Sequence, residues 1–368
     1  MCDKSGYDDF MLKEIHEQPQ TVIDTLKGRV LPDTGKLYIS ELTPLESSVS
    51  DIERILVLAC GTSWHSGLLG KIFIEKYAQI PVEVQIASEY PNSDLTLNKD
   101  VLCMCVSQSG ETTDTKNAMQ TAKKLGGKIV AVCNVIGSSM AREADYAIYT
   151  YAGPEISIAS TKAFMSQAVT FLLFALWLGE KRKTIDNNTV SAMLNELLNL
   201  PEKIRRVLKT EKTVKETADF YKNTGHFIYL GRHYNCPIAF EGALKLKETT
   251  YIHSEAYPSG ELKHGPVAIL DENFPVMIFV PAGKANDKIF SNLQEARARG
   301  SKVIAVMSEI SRNDRPESDH QLYIPDCNEE VSPFLTVVVA QLFAYFTAKG
   351  LGKDVDKPRN LVKSVLAE

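Results

Sequence analysis

The sequence lacks an excess of charge of either sign. Its 368 residues include 41 lysines and arginines against 46 aspartates and glutamates, a net charge of −5 at pH 7. Domains that bind nucleic acid usually carry a basic patch, which this balance does not indicate. Together with 44% apolar residues, the composition predicts a soluble globular protein that does not bind nucleic acid.

Cysteine and histidine are scarce and lack the spacings of metal sites. The seven cysteines include no Cys-x-x-Cys pair, and the seven histidines show no ligand spacing. We therefore expect no metal, no other cofactor and no disulfide framework. Four cysteines lie in apolar runs and are expected to be small buried residues of strands in a reducing compartment. These are Cys60, Cys103, Cys105 and Cys133.

The sequence also lacks a continuous apolar run long enough to cross a bilayer. Residues 171–178 are strongly apolar but too few, and residues 331–348 are interrupted by polar residues and a proline. The N-terminus is polar and does not look like a signal peptide. We expect a cytoplasmic protein without membrane contact, in which residues 331–348 form a buried helix.

The clearest functional signal is a hydroxyl-rich turn at residues 107–112, with the sequence Ser-Gln-Ser-Gly-Glu-Thr. An apolar run at residues 101–106 leads into it, and a helix-compatible stretch at 114–125 leads away. The start of a helix presents unpaired backbone N–H groups and the positive end of its dipole. Such a turn is therefore a natural anion site.

The side chains of this turn add further hydrogen-bond donors. Ser107, Ser109 and Thr112 supply hydroxyls, and Gln108 supplies an amide. The turn is not a nucleotide P-loop, because the Gly-Lys-Ser/Thr ending is absent. We interpret it as a phosphate site; the alternative is an ordinary helix start capped by Thr112 or Thr113.

Apolar runs alternate with helix-compatible stretches around this turn. The spacing predicts a doubly wound parallel sheet, in which ligands bind beyond the carboxyl ends of the strands. Gly61-Thr62-Ser63 follows an apolar run at residues 55–60, with a helix expected from about Trp64. We therefore expect this segment and the turn at 107–112 to line one crevice.

The same alternation recurs after a helical block at residues 160–223. Gly231 and residues 302–304 follow Gly61 and residues 128–130 at nearly the same separation, which indicates an internal duplication. The second copy lacks the hydroxyl-rich turn, so only the first is expected to bind phosphate. The predicted fold is α/β, with two tandem doubly wound parallel-sheet domains. Its segments are an N-terminal helical arm at 1–50, the domains at 51–205 and 206–350, and a C-terminal tail at 351–368.

Three segments of the second half carry groups suited to chemistry. Lys245 and Glu248 are three residues apart and share a helix face, although a surface ion pair would look the same. His264 lies in a glycine-flanked loop, and its imidazole suits proton transfer. The alternative is a loop histidine that is hydrogen-bonded to the backbone. Lys363 lies in a tail stiffened by Pro358, where a desolvated amine can act as a nucleophile. The residues expected to dock this tail are Val355, Leu361, Val362 and Val365.

Together these segments resemble the isomerase part of the glucosamine-6-phosphate synthases, the glutamine–fructose-6-phosphate amidotransferases, which consists of two sugar isomerase (SIS) domains. The resemblance runs from about residue 13 to the last residue. The Ser-x-Ser-Gly-x-Thr turn alone marks any SIS domain, whereas the Glu248 helix, the His264 loop and the tail together are specific to the synthases. Further matching segments lie at residues 17–19, 59–63, 159–162, 241–248 and 260–266.

The resemblance implies that one group of residues binds the substrate and another performs the chemistry. Glu248 would move a proton between C1 and C2, with Lys245 assisting at the C1 hydroxyl. Lys363 would form a Schiff base with the opened ketose, and His264 would open the ring from the other subunit of a homodimer. The implied substrate-binding residues are Ser63, Ser107, Gln108, Ser109 and Thr112 at the phosphate, with Thr62 and Ser160 at the sugar or its phosphate.

The implied reaction converts fructose 6-phosphate and ammonia to glucosamine 6-phosphate in amino-sugar biosynthesis. The family also carries an N-terminal glutaminase domain, whose nucleophile is a cysteine directly after the initiator methionine. Here Cys2 is followed by Asp3, and no such domain fits before Lys13, so we expect no glutamine hydrolysis. Two alternatives remain open: a non-catalytic SIS-domain sensor of phosphosugars, and feedback inhibition by UDP-N-acetylglucosamine, as in eukaryotic members.

Overall fold

The structure is a computed structural model that describes residues 3–31, 35–92, 96–284, 286–313 and 317–363. The chain forms two compact units, each built on one large sheet. The first-sheet unit comprises Gln20–Glu155, Lys162–Leu198 and Lys363, and the second-sheet unit comprises the residues up to Pro19, Ile156–Thr161 and Asn199–Val362. Residues 364–368 of the predicted tail lie outside the described ranges, and among them is Val365, one of the four residues expected to dock the tail.

The N-terminal arm begins with two helices, in line with the predicted helical arm. The second helix begins at Gln18 and takes in Pro19. Proline is tolerated in the first turn of a helix because the missing N–H would have no intrahelical partner there. The elements are α1 (Phe10–His16), α2 (Gln18–Leu26), the antiparallel pair β1 (Val30–Leu31) and β2 (Lys36–Leu37), and a 3₁₀ segment at Ser40–Asp51.

The first large sheet has five parallel strands, as the alternating pattern predicted. Its strand order is β4-β3-β5-β6-β7, and every residue of β5 is buried, which explains the unbroken apolar run. The edge strand β7 was not predicted. The elements are β3 (Arg54–Ala59), α3 (Gly61–Tyr77), β4 (Val82–Ile86), β5 (Val101–Ser107), α4 (Thr113–Lys124), β6 (Lys128–Cys133), α5 (Ser139–Glu143), β7 (Tyr146–Tyr149), α6 (Lys162–Lys181) and α7 (Asn187–Leu208).

Three of the four cysteines assigned to buried strands lie there. Cys103 and Cys105 are on β5 and Cys133 is on β6, all fully buried. Burial raises the pKa of the Cys103 thiol to about 12 and that of Cys105 well above its usual value, so both remain protonated near neutral pH. Cys60 differs from the prediction, because it precedes α3 as its N-cap and is only half-buried.

The second large sheet repeats the first, as the duplication predicted. Its order β9-β8-β10-β11-β12 matches that of the first sheet strand for strand, and all five strands are parallel. The edge strands β9 and β12 were not predicted. The elements are α8 (Glu211–Tyr221), β8 (His226–Gly231), α9 (Cys236–Thr250), β9 (His253–Pro258), β10 (Val276–Val280), α10 (Asn286–Ala298), β11 (Val303–Ser308), β12 (His320–Ile324) and α11 (Ser332–Gly350).

Within the part of the chain that the structure describes, two helices, α6 and α11, are by length and composition apolar enough to cross a membrane. Residues 171–178 are part of the 20-residue α6, so the expectation of a run too short to span was wrong. However, 94% of the apolar window of α6 and 83% of that of α11 are buried inside the protein. Both therefore resemble core helices, and the burial of α11 needs no partner subunit to explain it.

Candidate active site

The hydroxyl-rich turn and the residues after β3 lie at the same edge of the first sheet. Strands β3 and β5 are parallel neighbours with Ala59 opposite Val106, so both segments follow the carboxyl ends of adjacent strands. The helix α3 begins at Gly61, earlier than expected. Thr62 and Ser63 therefore lie in its first turn, where the Ser63 N–H donates to Cys60 O at 3.1 Å.

The turn itself is a connected cluster of hydroxyls. Ser107 Oγ lies 2.8 Å from Thr112 Oγ1 and 3.5 Å from Ser109 Oγ. Backbone N–H groups hold two of these oxygens: Gly110 donates to Ser107 Oγ and Glu111 donates to Ser109 Oγ, each at 3.1 Å. The three hydroxyls are thus fixed together at the start of α4. Gln108 lies beside them, half-buried.

Gly110 is required for the turn to close. Its backbone has φ +65°, a left-handed conformation that favours glycine. A Cβ at this position would lie 2.1 Å from Ser138 Oγ. The neighbouring Glu111 accepts the Ser139 backbone N–H at 2.6 Å, and this hydrogen bond lowers the pKa of the Glu111 carboxyl. Its negative charge is therefore engaged at the start of α5.

The interpretation of this turn as a simple capped helix is only partly right. Thr112 is the N-cap residue of α4, but its side chain makes no capping hydrogen bond. Its hydroxyl contacts Ser107 Oγ instead. Because the Thr112 hydroxyl faces the other hydroxyls of the turn, it can also contact an anion bound there. A hydroxyl that caps the helix could not do so.

Gln167, on α6, holds the Ser63 side chain in the first turn of α3 and was missed by the sequence analysis. Its side-chain amide donates to Ser63 Oγ at 3.0 Å, and its carbonyl oxygen accepts the Ser66 hydroxyl at 2.9 Å. Because Ser63 Oγ accepts here, its own hydrogen is left to be donated elsewhere. Gln167 is 1% exposed, and a glutamine within an otherwise apolar helix was the available signal.

We expect Gln167→Met to weaken sugar-phosphate binding about two- to tenfold. The substitution keeps the volume but removes the donor that orients Ser63, and a buried hydrogen bond contributes roughly 0.5–1.5 kcal/mol. Isothermal titration calorimetry measures the change. Thr170→Val, on the same helix, is the control, because the Thr170 hydroxyl bonds only its own helix at Ser166 O. Equal affinities for Gln167→Met and the wild type would contradict this role.

Ser109→Ala should weaken sugar-phosphate binding about ten- to a hundredfold. A hydrogen bond to a charged group contributes roughly 1.5–3 kcal/mol, and the alanine also leaves the Glu111 N–H without its acceptor. Ser48→Ala serves as the control, since the Ser48 hydroxyl donates to Leu45 O at a distant 3₁₀ segment of the same unit. Unchanged affinity in calorimetry would show that phosphate does not occupy this turn.

In the second-sheet unit, α9 carries a buried charged cluster. Lys245 is 1% exposed, and its amine lies 2.6 Å from Glu248 Oε2 and 3.5 Å from Glu241 Oε1. Glu241, one turn before Lys245, is fully buried and was not singled out from the sequence. The surface-pair alternative for Lys245 and Glu248 is therefore wrong. Lysine is rarely buried to this extent, and a lysine between two carboxylates marks a candidate site.

The remaining candidates of the second-sheet unit are more exposed. His264 ends a 3₁₀ segment, Ser259–His264, and its side chain is exposed. Ser160 is half-buried within the short segment Ile156–Thr161. Exposure leaves the imidazole of His264 accessible to a ligand or a partner subunit.

The tail is anchored mainly by polar contacts, contrary to expectation. Leu361 and Val362 are 37% and 72% exposed, so they do not dock it within this chain, although Val355 is fully buried. Asp356 accepts the first two backbone N–H groups of α1, both at 2.9 Å. Tyr251 receives the backbone N–H of residue 359 at 2.8 Å, with the guanidinium of the same residue 4.2 Å from its ring centre.

Lys363 belongs to the first-sheet unit, where its amine lies 3.3 Å from Glu155 Oε2. The Lys363 side chain is 26% exposed and that of Glu155 is fully buried. The predicted nucleophile is therefore partly desolvated and held by a carboxylate.

A separate cavity of about 630 Å³ opens on the first-sheet unit. Its volume is in the range of small-molecule sites. The lining includes one amine, one carboxylate and one aromatic ring, from Lys27, Asp24 and Tyr151. Asn134, directly after β6, orders one wall by donating to Gly153 O at 2.8 Å.

Two duplicated five-stranded parallel sheets, the first followed after β5 by a hydroxyl-rich turn, define a class of protein with two tandem doubly wound α/β domains. The SIS domain family model matches residues 48–177 and 220–348. The chain therefore belongs to the SIS domain family, with two such domains.

Similar proteins show to which group within the SIS family this chain belongs. The glutamine–fructose-6-phosphate aminotransferases (isomerizing) of Chlorobaculum tepidum and Caldanaerobacter subterraneus are 42% and 43% identical over all of this chain. The chain spans 59% and 60% of their lengths. The C-terminal domain of glucosamine-fructose-6-phosphate aminotransferase from Francisella tularensis superposes with a TM-score of 0.93 at 37% identity, over 97% of this chain and all of that one. Within the SIS family, the chain thus belongs with these aminotransferase C-terminal domains, which confirms the resemblance.

Proposed function

We propose that this chain converts fructose 6-phosphate and ammonia to glucosamine 6-phosphate, the reaction that leads toward UDP-N-acetylglucosamine. Without ammonia it would interconvert fructose 6-phosphate and glucose 6-phosphate. The observation that carries the proposal is the buried Lys245 between Glu241 and Glu248. A phosphosugar sensor needs the hydroxyl-rich turn but has no use for a buried acid–base cluster, so the sensor alternative is disfavoured.

We assign the phosphate to the hydroxyl-rich turn. The support is the arrangement of three hydroxyls around Ser107 at the start of α4, where the helix dipole also favours an anion. Thr62 and Ser160 contact the sugar or its phosphate in this proposal. The phosphate ligands are Ser63, Ser107, Gln108, Ser109 and Thr112.

The chemical steps fall to four residues. His264 opens the ring by proton transfer, and Lys363 forms an imine at C2 of the open chain. Ammonia replaces the lysine at C2, and Glu248 then moves a proton from C1 to C2. Lys245, hydrogen-bonded to Glu248, stabilises the negative charge that develops at the C1 oxygen.

An assay of the purified chain tests this proposal. We expect glucosamine 6-phosphate from fructose 6-phosphate only when ammonium is added, and glucose 6-phosphate without it. Glutamine in place of ammonium is the control: because we expect no glutamine hydrolysis, it should give no glucosamine 6-phosphate. Tight binding of fructose 6-phosphate with no product under either condition would support the sensor instead.

We further propose a homodimer in which His264 completes the site of the partner subunit. The support is the exposure of His264 in this chain together with the family resemblance. Mixing equal amounts of inactive His264→Ala and inactive Glu248→Ala should restore roughly a quarter of the wild-type activity. Half of the dimers are then hybrids, and one of the two sites in each hybrid is intact. No recovery after verified subunit exchange would show that each chain uses its own His264.

UDP-N-acetylglucosamine is proposed as an inhibitor that occupies the cavity beside Lys27. The amine of Lys27 suits a diphosphate, and the ring of Tyr151 suits a base. Calorimetry with the nucleotide sugar should show binding that Lys27→Ala weakens. Equal affinity for both proteins would place the nucleotide elsewhere.

We propose a cytoplasmic location, in line with the reducing environment expected from cysteines buried within strands. The proposed division of labour follows the predicted segments: residues 51–205 bind the sugar phosphate, 206–350 supply acid–base groups, and 351–368 supply the nucleophile. Residues 1–50 form the supporting arm.

A further inference from the structure

Glu155 contacts both the start of α6 and the proposed amine nucleophile. Its Oε1 accepts the backbone N–H of Ala163 at 3.1 Å, and its Oε2 accepts Lys363 Nζ at 3.3 Å. The Glu155 side chain is fully buried. One carboxylate therefore touches a helix N-terminus and a lysine that the sequence placed in the active-site tail.

This buried carboxylate has a hydrogen-bond donor on each side. A buried charge is costly unless it is paired and hydrogen-bonded. Glu155 has the Ala163 N–H and the positive end of the α6 dipole on one side and the Lys363 ammonium on the other. In this ion pair the lysine carries a proton and has no lone pair with which to attack a carbonyl.

We propose that Glu155 is the catalytic acid–base for imine formation at Lys363, an inference that rests on the proposed function. Glu155 accepts a proton from the ammonium, which leaves a neutral amine and a neutral carboxylic acid. The distance of 3.3 Å suits this transfer, since catalytic hydrogen bonds are often long before substrate binds. After this transfer, Glu155 holds the proton that a later step requires.

The remaining steps balance without another acid. The amine forms a bond to C2 of the open-chain ketose, and a proton moves from nitrogen to the former carbonyl oxygen to give the carbinolamine. Glu155 returns its proton to that hydroxyl, which leaves as water while the nitrogen lone pair forms the C=N bond. The products are an iminium cation on Lys363 and a carboxylate on Glu155, the same charge pair as at the start.

The test is the rate at which borohydride traps an adduct on Lys363 of the full chain mixed with fructose 6-phosphate. Glu155→Gln keeps an oxygen for the Ala163 N–H but cannot accept a proton. We expect its trapping rate to fall about 10²- to 10⁴-fold, the range of general acid–base catalysis. Its affinity for the sugar phosphate in calorimetry should stay at the wild-type value.

Two further variants calibrate the result. Glu155→Asp keeps a carboxylate one methylene farther away and should trap at an intermediate rate. Glu75→Gln is the matched control, because Glu75 also bridges a backbone N–H, that of Val82 at 3.1 Å, and a lysine, Lys71 at 2.8 Å. It should trap at the wild-type rate.

Four outcomes overturn the inference, and the last of them also overturns the proposed function. Glu155→Gln could trap as fast as the wild type, or it could lose affinity and thermal stability along with trapping, which would make the role structural. If Glu155→Gln does not fold, trapping by Glu155→Asp at the wild-type rate would contradict the proposed role of Glu155. Absence of any adduct in the wild type would instead overturn the proposed function together with this inference.

Discussion

Lys363→Arg should bind fructose 6-phosphate as the wild type does and yet form no covalent adduct with it. The guanidinium keeps the positive charge beside Glu155 but stays protonated, so it offers no lone pair to the C2 carbonyl. Synthase activity should fall by roughly 10³-fold or more, as when other covalent enzymes lose their nucleophile. Borohydride trapping followed by mass spectrometry measures the adduct, and calorimetry measures binding.

Lys357→Arg is the matched control for this prediction. Lys357 is an exposed lysine of the same tail, so its replacement changes neither the charge nor the proposed nucleophile. It should leave trapping unchanged. An adduct mapped to Lys245 or Lys263 in the wild type would show that the wrong lysine has been assigned.

Glu248→Gln should separate imine formation from the later proton transfer. The amide can still accept a hydrogen bond from Lys245 but cannot carry a proton between C1 and C2, so kcat should fall about 10²- to 10⁴-fold. The adduct on Lys363 should still form, and sugar-phosphate affinity should not change. Product formation is followed by coupled assay, and the adduct by mass spectrometry.

The control for Glu248→Gln is Glu216→Gln. Glu216 is 66% exposed and faces Lys212 one turn before it on α8, a surface ion pair of little energetic consequence. Wild-type kcat is expected. If Glu248→Gln retains full kcat, another group moves the proton and the cluster on α9 has a structural role.

The buried strands could be predicted from the sequence because their patterns are strong. Strand β5 is buried along its whole length and flanked by turn residues, so its run of apolar residues has few other interpretations. The strands of the two large sheets that were missed, β7, β9 and β12, all lie at sheet edges. Edge strands are partly exposed and therefore mix polar with apolar residues, as in the sequence His-Ser-Glu-Ala-Tyr-Pro of β9.

The candidate site also contains parts that the sequence predicts and parts that it does not. The hydroxyl-rich turn is contiguous in sequence, so local pattern and helix chemistry sufficed to predict it. Gln167 and Glu155 were missed because they meet Ser63 and Lys363 only in the folded chain, 104 and 208 residues away. The tail was predicted to dock through apolar residues, whereas Asp356 and Tyr251 hold it by hydrogen bonds whose partners are distant in sequence.

The central claim is that the purified chain forms a bond between ammonia nitrogen and C2 of fructose 6-phosphate. The most direct measurement is NMR of fructose 6-phosphate labelled with ¹³C at C2, incubated with the chain and ¹⁵N-ammonium. We expect a one-bond ¹³C–¹⁵N coupling to appear at C2 of glucosamine 6-phosphate. Saturated binding of the labelled sugar with no coupled signal after prolonged incubation would contradict the claim.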